Sequence, residues 1–65
     1  MEKKNKYTYL EIEECIKEWA KDNQNQRLGQ WFYNNYDHSG EPFPELFYEP
    51  SIRKAIDLIY ENYLV

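Results

Sequence analysis

The stretch Thr8-Tyr9-Leu10-Glu11-Ile12-Glu13-Glu14-Cys15-Ile16-Lys17-Glu18-Trp19-Ala20 decides the fold class. Thr8 and Glu11 stand three apart, the spacing of a capping box. The hydroxyl accepts from the third helical amide, and the carboxylate reaches back to the cap amide. Tyr7 and Ile12 occupy the two positions of a hydrophobic staple. Ile12, Cys15, Ile16, Trp19 and Ala20 then recur at helical spacing and form one apolar stripe. Glu11, Glu13, Glu14 and Glu18 crowd the N-terminal half, where the helix dipole favours anions, and Lys17 and Lys21 come later. Glu13 and Lys17 form an i, i+4 pair in the favourable order. These signals predict a helix over 8–22. The run Tyr-Thr-Tyr-Leu within 6–10 is also rich in strand formers, so a short strand there is the local alternative.

Working outward, the polar run Asp22-Asn23-Gln24-Asn25-Gln26 reads as a connector. Leu28, Trp31, Phe32 and Tyr36 restore helical spacing and predict a second helix over 25–36. Gly29 lies inside it. An interior glycine costs about 1 kcal/mol against alanine, so its presence predicts the close approach of another helix backbone or a bulky ring. Gly40, Pro42 and Pro44 break helices and place a loop after Tyr36. Pro44 fits the first position of a single turn carrying Glu45, Leu46, Phe47 and Tyr48. Phe43, Leu46 and Phe47 are expected to fold back onto the core. A last helix starts at Pro50 or Ser51, and Ile52, Ala55, Ile56, Ile59, Tyr60 and Tyr63 form its stripe. The expected fold is all-α: a compact three-helix domain, about 8–22, 25–36 and 50–63, with an ordered aromatic, proline-rich loop at 37–49. Residues 1–6 read as a flexible tail and 7–65 as one domain.

Composition narrows the function. A 65-residue chain buries only about 60% of its unfolded surface, so it needs a rich core or an external staple. Cys15 is the only cysteine, which excludes a disulfide within the chain and fits a reducing compartment. With His38 as the only histidine, a four-ligand zinc site has too few soft donors. Twelve aromatic residues supply the core instead. The mean hydropathy of −1.01 comes from charged and amide side chains rather than from disorder. The net charge of −4 speaks against nucleic-acid binding by phosphate neutralisation. No apolar run approaches the ~20 residues of a membrane span. The N-terminal residues do not read as a signal peptide, and the expected location is cytoplasmic.

The most unusual pattern lies in the middle. Between Arg27 and Arg53 there is no lysine or arginine, yet the stretch carries Asp37, Glu41, Glu45 and Glu49. It also holds Trp31, Phe32, Tyr33, Tyr36, Phe43, Phe47 and Tyr48, seven of the twelve aromatics. One helix and one loop can turn only about half of these rings inward. The functional reading is a binding face in which aromatic anchors are rimmed by carboxylates that steer a basic partner. The bland reading makes the rings core and the carboxylates solvated surface. Candidate partner-binding residues are Trp31, Tyr33, Tyr36, Asp37, Glu41, Glu45, Tyr48 and Glu49. The spacing of the four carboxylates is not a helical stripe, because Pro42 and Pro44 interrupt it, and it lacks the ligand pattern of a calcium loop. His38 beside Asp37 has no nucleophile to serve, and Cys15 reads as a small buried hydrophobe.

Arg27-Leu28-Gly29-Gln30-Trp31-Phe32-Tyr33-Asn34 and Pro44-Glu45-Leu46-Phe47-Tyr48 resemble short, uncharacterised helical proteins of bacteria and their phages. In these an Arg-x-Gly-Gln helix precedes a Pro-Glu-Leu aromatic turn. The resemblance covers the middle of the chain and brings no functional residue with it. It implies a phage or mobile-element origin, with the regulatory and counter-defence roles common among very small phage proteins. Read from the residues alone, Arg27 is badly placed for the helix dipole and is expected to pair with Glu45 or Glu49. Gln30 is expected to bond the backbone of the 43–48 turn. Thr8, Glu11, Arg27, Gly29 and Gln30 are thus structural candidates.

The sequence therefore points to a small acidic protein-interaction module, an inhibitor or regulator of a partner with a basic or apolar surface, with no cofactor and no metal. A helix-turn-helix DNA reader is the first alternative, since Arg27, Gln30, Asn34 and Asn35 can read base edges. One cation and an acidic loop count against it. A structural subunit of a homo-oligomer is the second alternative. An enzyme is not expected.

Overall fold

A computed structural model describes residues 6–65; the expectation of a flexible tail falls on 1–5, outside the described residues, and on Lys6. The ammonium of Lys6 donates to the Leu64 carbonyl at 3.3 Å, so this end of the proposed tail is attached.

The first helix, α1, runs Tyr9–Asp22 and begins with the full capping box. Glu11 N donates to the Thr8 hydroxyl at 3.2 Å. Thr8 N donates to the Glu11 carboxylate at 2.8 Å. Ile12, Cys15 and Trp19 of the expected stripe are buried, Ile16 is half-buried and Ala20 is exposed at the stripe's edge. The connector is held from outside: Trp19 Nε1 donates to the Gln26 carbonyl at 2.8 Å.

That bond keeps 23–27 out of helix, and α2 spans Leu28–Tyr36, shorter than the expected 25–36. Arg27 stays extended as its cap residue and offers no side-chain cap bond. The amphipathic signal starts at Leu28, and nothing apolar before it rewards an earlier start. Asp37 leaves the helix in an extended conformation, and Gly40 turns the chain with φ 81°, a value that glycine adopts without strain.

Within the expected loop, Pro44 opens a single turn, α3, over Pro44–Phe47. Leu46 points into the core and is fully buried. The last long helix, α4, covers Ile52–Tyr63, and Ser51 is its cap, accepting from Lys54 N at 3.3 Å. The expected three long helices are present, and α3 is a fourth, short one inside the 37–49 segment.

The helix α2 touches each of the other three, and α3 also rests on α4. Its central place explains Gly29. A β-carbon there would sit 2.0 Å from the Leu46 carbonyl oxygen, so only glycine admits the α3 backbone. The close approach expected from sequence is therefore to a main-chain carbonyl. Phe32 and Tyr63 form the centre of the core, both fully buried, with ring centroids 4.9 Å apart in an edge-on pair. The radius of gyration is 10.8 Å, against about 10.7 Å for a compact chain of this length.

The strand alternative at 6–10 reduces to one isolated parallel bridge, Tyr7 to Leu64. Tyr7 N donates to the Tyr63 carbonyl at 2.7 Å and Val65 N to the Tyr7 carbonyl at 2.9 Å. This bridge ties the segment before α1 to the end of α4. Glu13, expected to pair with Lys17, accepts from the Tyr60 hydroxyl at 2.7 Å and so joins α1 to α4.

Candidate functional site

The acidic, aromatic stretch divides into an inward and an outward set. Trp31, Phe32 and Phe43 are buried, Tyr33, Tyr36 and Phe47 are half-buried, and Tyr48 is exposed. Two proposed contact rings therefore belong to packing. Trp31, at 6% exposure, is core, because it lies on the α2 face turned towards the other helices. Tyr36 stacks on Phe32 at 5.1 Å and meets Trp31 edge-on at 5.4 Å. Its carbonyl accepts from the Tyr7 hydroxyl at 2.6 Å.

Asp37 is also structural rather than a rim charge. Its Oδ2 accepts from the buried Tyr63 hydroxyl at 2.6 Å. Its Oδ1 accepts from both the amide and the hydroxyl of Ser39. Burial, then the bond to Asp37, pushes the Tyr63 phenol well above its ordinary value. Burial likewise raises the Cys15 thiol, with Glu18 and Glu11 adding to it, while a hydrogen bond from Tyr36 pulls the other way. A thiol so placed stays protonated and is a poor nucleophile.

Two of the structural contacts expected from sequence are not made among the described residues. Among the described residues Arg27 makes no ion pair with Glu45 or Glu49, although Arg27 and Glu49 line one groove between the connector and the start of α4. Glu49 instead accepts from Ser51 N at 3.1 Å. Gln30 makes no hydrogen bond to the 43–48 turn; the turn is held through Gly29 and by its own amides. The outward side of α2 presents Asn34 and Asn35, and the Asn35 amide donates back to the Trp31 carbonyl at 2.8 Å.

What remains outward gathers on α3. One side of this turn lines an apolar groove of about 250 Å³ between Tyr33, Pro42, Phe43, Pro44, Phe47 and Tyr48. Its rings stand across one another: Tyr33 on Phe47 at 84° and Phe47 on Tyr48 at 71°. The Tyr33 hydroxyl donates to the Glu41 carbonyl at 2.6 Å and fixes the groove's far wall. The other side of α3 lines a second groove of about 380 Å³ with Glu45, Glu49, Lys54, Asp57, Leu58 and Glu61. Four carboxylates face one ammonium there. The helix is thus a ridge, with Pro44 and Phe47 on its apolar flank, Glu45 on its acidic flank and Leu46 beneath.

Of the proposed contact residues, the structure brings Tyr33 and Tyr48 together on the apolar flank, and Glu45 and Glu49 on the acidic one. Glu41 lies exposed at the groove's edge. Pro42, Pro44 and Phe47 line the groove and were not among the sequence candidates. Their signal was present in Pro44 at the first position of a turn, which sets Phe47 one helical turn further on the same side. Among the described residues no three His, Cys, Asp or Glu side chains gather to hold a metal ion, and no helix is long and apolar enough to cross a membrane.

No protein-family model, curated protein or solved structure matches the chain.

Proposed function

We propose that this chain is a small acidic protein-interaction module that docks on a partner protein through the ridge of α3 and its two flanks. The observation that carries this reading is Tyr48. It is a large aromatic left 66% exposed in a chain whose other middle rings are at least half-buried. It lines the apolar groove on one flank of α3, and the carboxylates of Glu45 and Glu49 lie on the other flank. Aromatic anchors with a charged surround are the usual energetic centre of an interface. Carboxylates around them speed the approach of a basic partner and select against acidic ones. Such a surface suits an inhibitor or regulator that occupies a basic or apolar patch on another protein.

Site-specific photo-crosslinking tests it. A photoreactive phenylalanine analogue replaces Tyr48 in one variant and the exposed Lys21 of α1 in another. The expected outcome is a discrete adduct from position 48 that fades when Glu45→Lys is added. Equal adducts from both positions, or adducts only from position 21, would overturn the reading.

A further inference from the structure

We infer that the occupant of the apolar groove is a basic, proline-containing segment in the polyproline II conformation. The inference rests on the docking role proposed for α3 and narrows the chemistry of the partner. Its first ground is the groove's main chain. A ligand that adds as a β-strand needs a row of main-chain donors and acceptors on the receiving edge. Pro42 and Pro44 have no N–H. Phe47 N is spent on the Phe43 carbonyl and Tyr48 N on the Pro44 carbonyl, both at 3.0 Å. These four residues therefore offer a strand no main-chain donor. A polyproline II segment asks for no such row, because its own amides and carbonyls face solvent.

The side chains supply the second ground. Tyr33 meets Phe47 and Phe47 meets Tyr48 edge-on, at 5.8 and 4.9 Å, so these touching rings line the groove as one aromatic wall beside Pro42 and Pro44. Rigid proline rings pack on such a wall at low entropic cost, as in other aromatic-lined grooves that take extended proline-rich peptides. Tyr48 also has a hydroxyl that no hydrogen bond among the described residues engages, whereas the Tyr33 hydroxyl is already used. The exposed carbonyls of a polyproline II chain are suitable acceptors for it.

Charge gives the third ground and fixes the ligand's sign. Glu41 is exposed beside Pro42 at the groove's edge, and Glu45 is exposed on the other flank of the same turn. Lys54 shares the second groove with Glu45, and no cation is among the residues that line the first. An arginine or lysine beside the prolines would meet these carboxylates, and an acidic proline-rich segment would be repelled.

The test is an NMR titration of the isotopically labelled full chain with three synthetic peptides. One is Arg-Ala-Leu-Pro-Pro-Leu-Pro-Ala, the second has Glu in place of its Arg, and the third is a basic amphipathic helix without proline. The expected result is saturable shifts at Tyr33, Phe47 and Tyr48 with the first peptide alone. Affinity should fall about tenfold with Tyr48→Ala and several-fold with Glu45→Lys, the sizes typical of a central anchor and a rim charge. Shifts at these residues with the helical peptide and none with the first would overturn the polyproline II inference and leave the docking role standing. Equal binding of the Arg and Glu peptides would overturn the charge component. No shift with any peptide would overturn the inference, and the crosslinking at position 48 then decides the docking role separately.

Discussion

The helix α2 and the 37–49 segment both carry aromatic rings, four in α2 and three in the segment, but they dispose of them differently. In α2 a nine-residue helix meets three partners, and its rings sort by helical face: Trp31 and Phe32 go inward, and Tyr33 and Tyr36 reach half-burial. The 37–49 segment is pinned at a few points instead. Asp37 holds Tyr63, Gly29 admits the Leu46 carbonyl, and Phe43 and Leu46 fill the core. Between these anchors Tyr48, Glu41 and Glu45 remain outside. A long helix distributes its side chains by periodicity, whereas a short turn pinned from beneath can hold an aromatic outward at little cost to the fold. That difference is what makes α3 the candidate contact surface and α2 its support.

The largest effect should come from the middle of α2. Phe32→Ala removes a fully buried ring that packs on Tyr7, Tyr36 and Tyr63. A loss of about 3–5 kcal/mol is expected. For a domain of this size that amounts to unfolding, visible as loss of the cooperative urea transition. A variant that keeps its transition would show that α2 is not the support described.

Next in size is the contact between the two regions. Gly29→Ala gains about 1 kcal/mol in helix propensity, yet its methyl meets main chain that has no flexible end to move aside. A net loss of about 2 kcal/mol is expected, with the protection of the 43–48 amides falling first in hydrogen exchange. A neutral or stabilising Gly29→Ala would break the claim that α3 is pinned there.

Smaller again is the tie from Asp37 to α4. Tyr63→Phe should cost about 1–2 kcal/mol near neutral pH, by losing one charge-assisted hydrogen bond. The pH dependence has a definite sign. The phenols of Tyr7, Tyr36, Tyr60 and Tyr63 are all raised above 10.0, burial being the first cause in each. They hold their protons more tightly in the folded chain than in the unfolded one. Their stabilisation is complete below the unfolded value of about 10 and is lost as pH rises through the folded values. Stability should therefore fall above about pH 10, and the fall should be less steep in Tyr63→Phe by up to about 1.4 kcal/mol per pH unit. Parallel curves for the two proteins would contradict the assignment.

Much of the support was legible in sequence, and less of the surface. Thr8 and Glu11 gave the start of α1 because a capping box is a local device whose partners lie three residues apart. Ser51 and Pro44 were readable for the same reason. Gly29 announced a close approach through its cost, although only the fold shows that the neighbour is the Leu46 carbonyl. What could not be read depends on distant pairs. The Tyr7–Leu64 bridge and the Tyr63–Asp37 bond join residues far apart in the chain. Asp37 looked like one of four equal carboxylates until Tyr63 claimed it. Trp31 looked like a contact ring because periodicity says which residues share a face, and not how many helices cover that face. The late start of α2 reflects the Trp19 bond to Gln26, another tertiary constraint.

The smallest expected effect on stability falls on Tyr48, and it bears most directly on the claim that α3 is held from beneath so that its outer face is spare. Tyr48→Ala is to be followed by equilibrium urea unfolding, with the basic proline-rich peptide titrated into the same preparation. The expected unfolding free energy lies within about 0.5 kcal/mol of the parent, together with affinity about tenfold weaker. A variant that loses stability as a core ring would, while binding the peptide as the parent does, would contradict it.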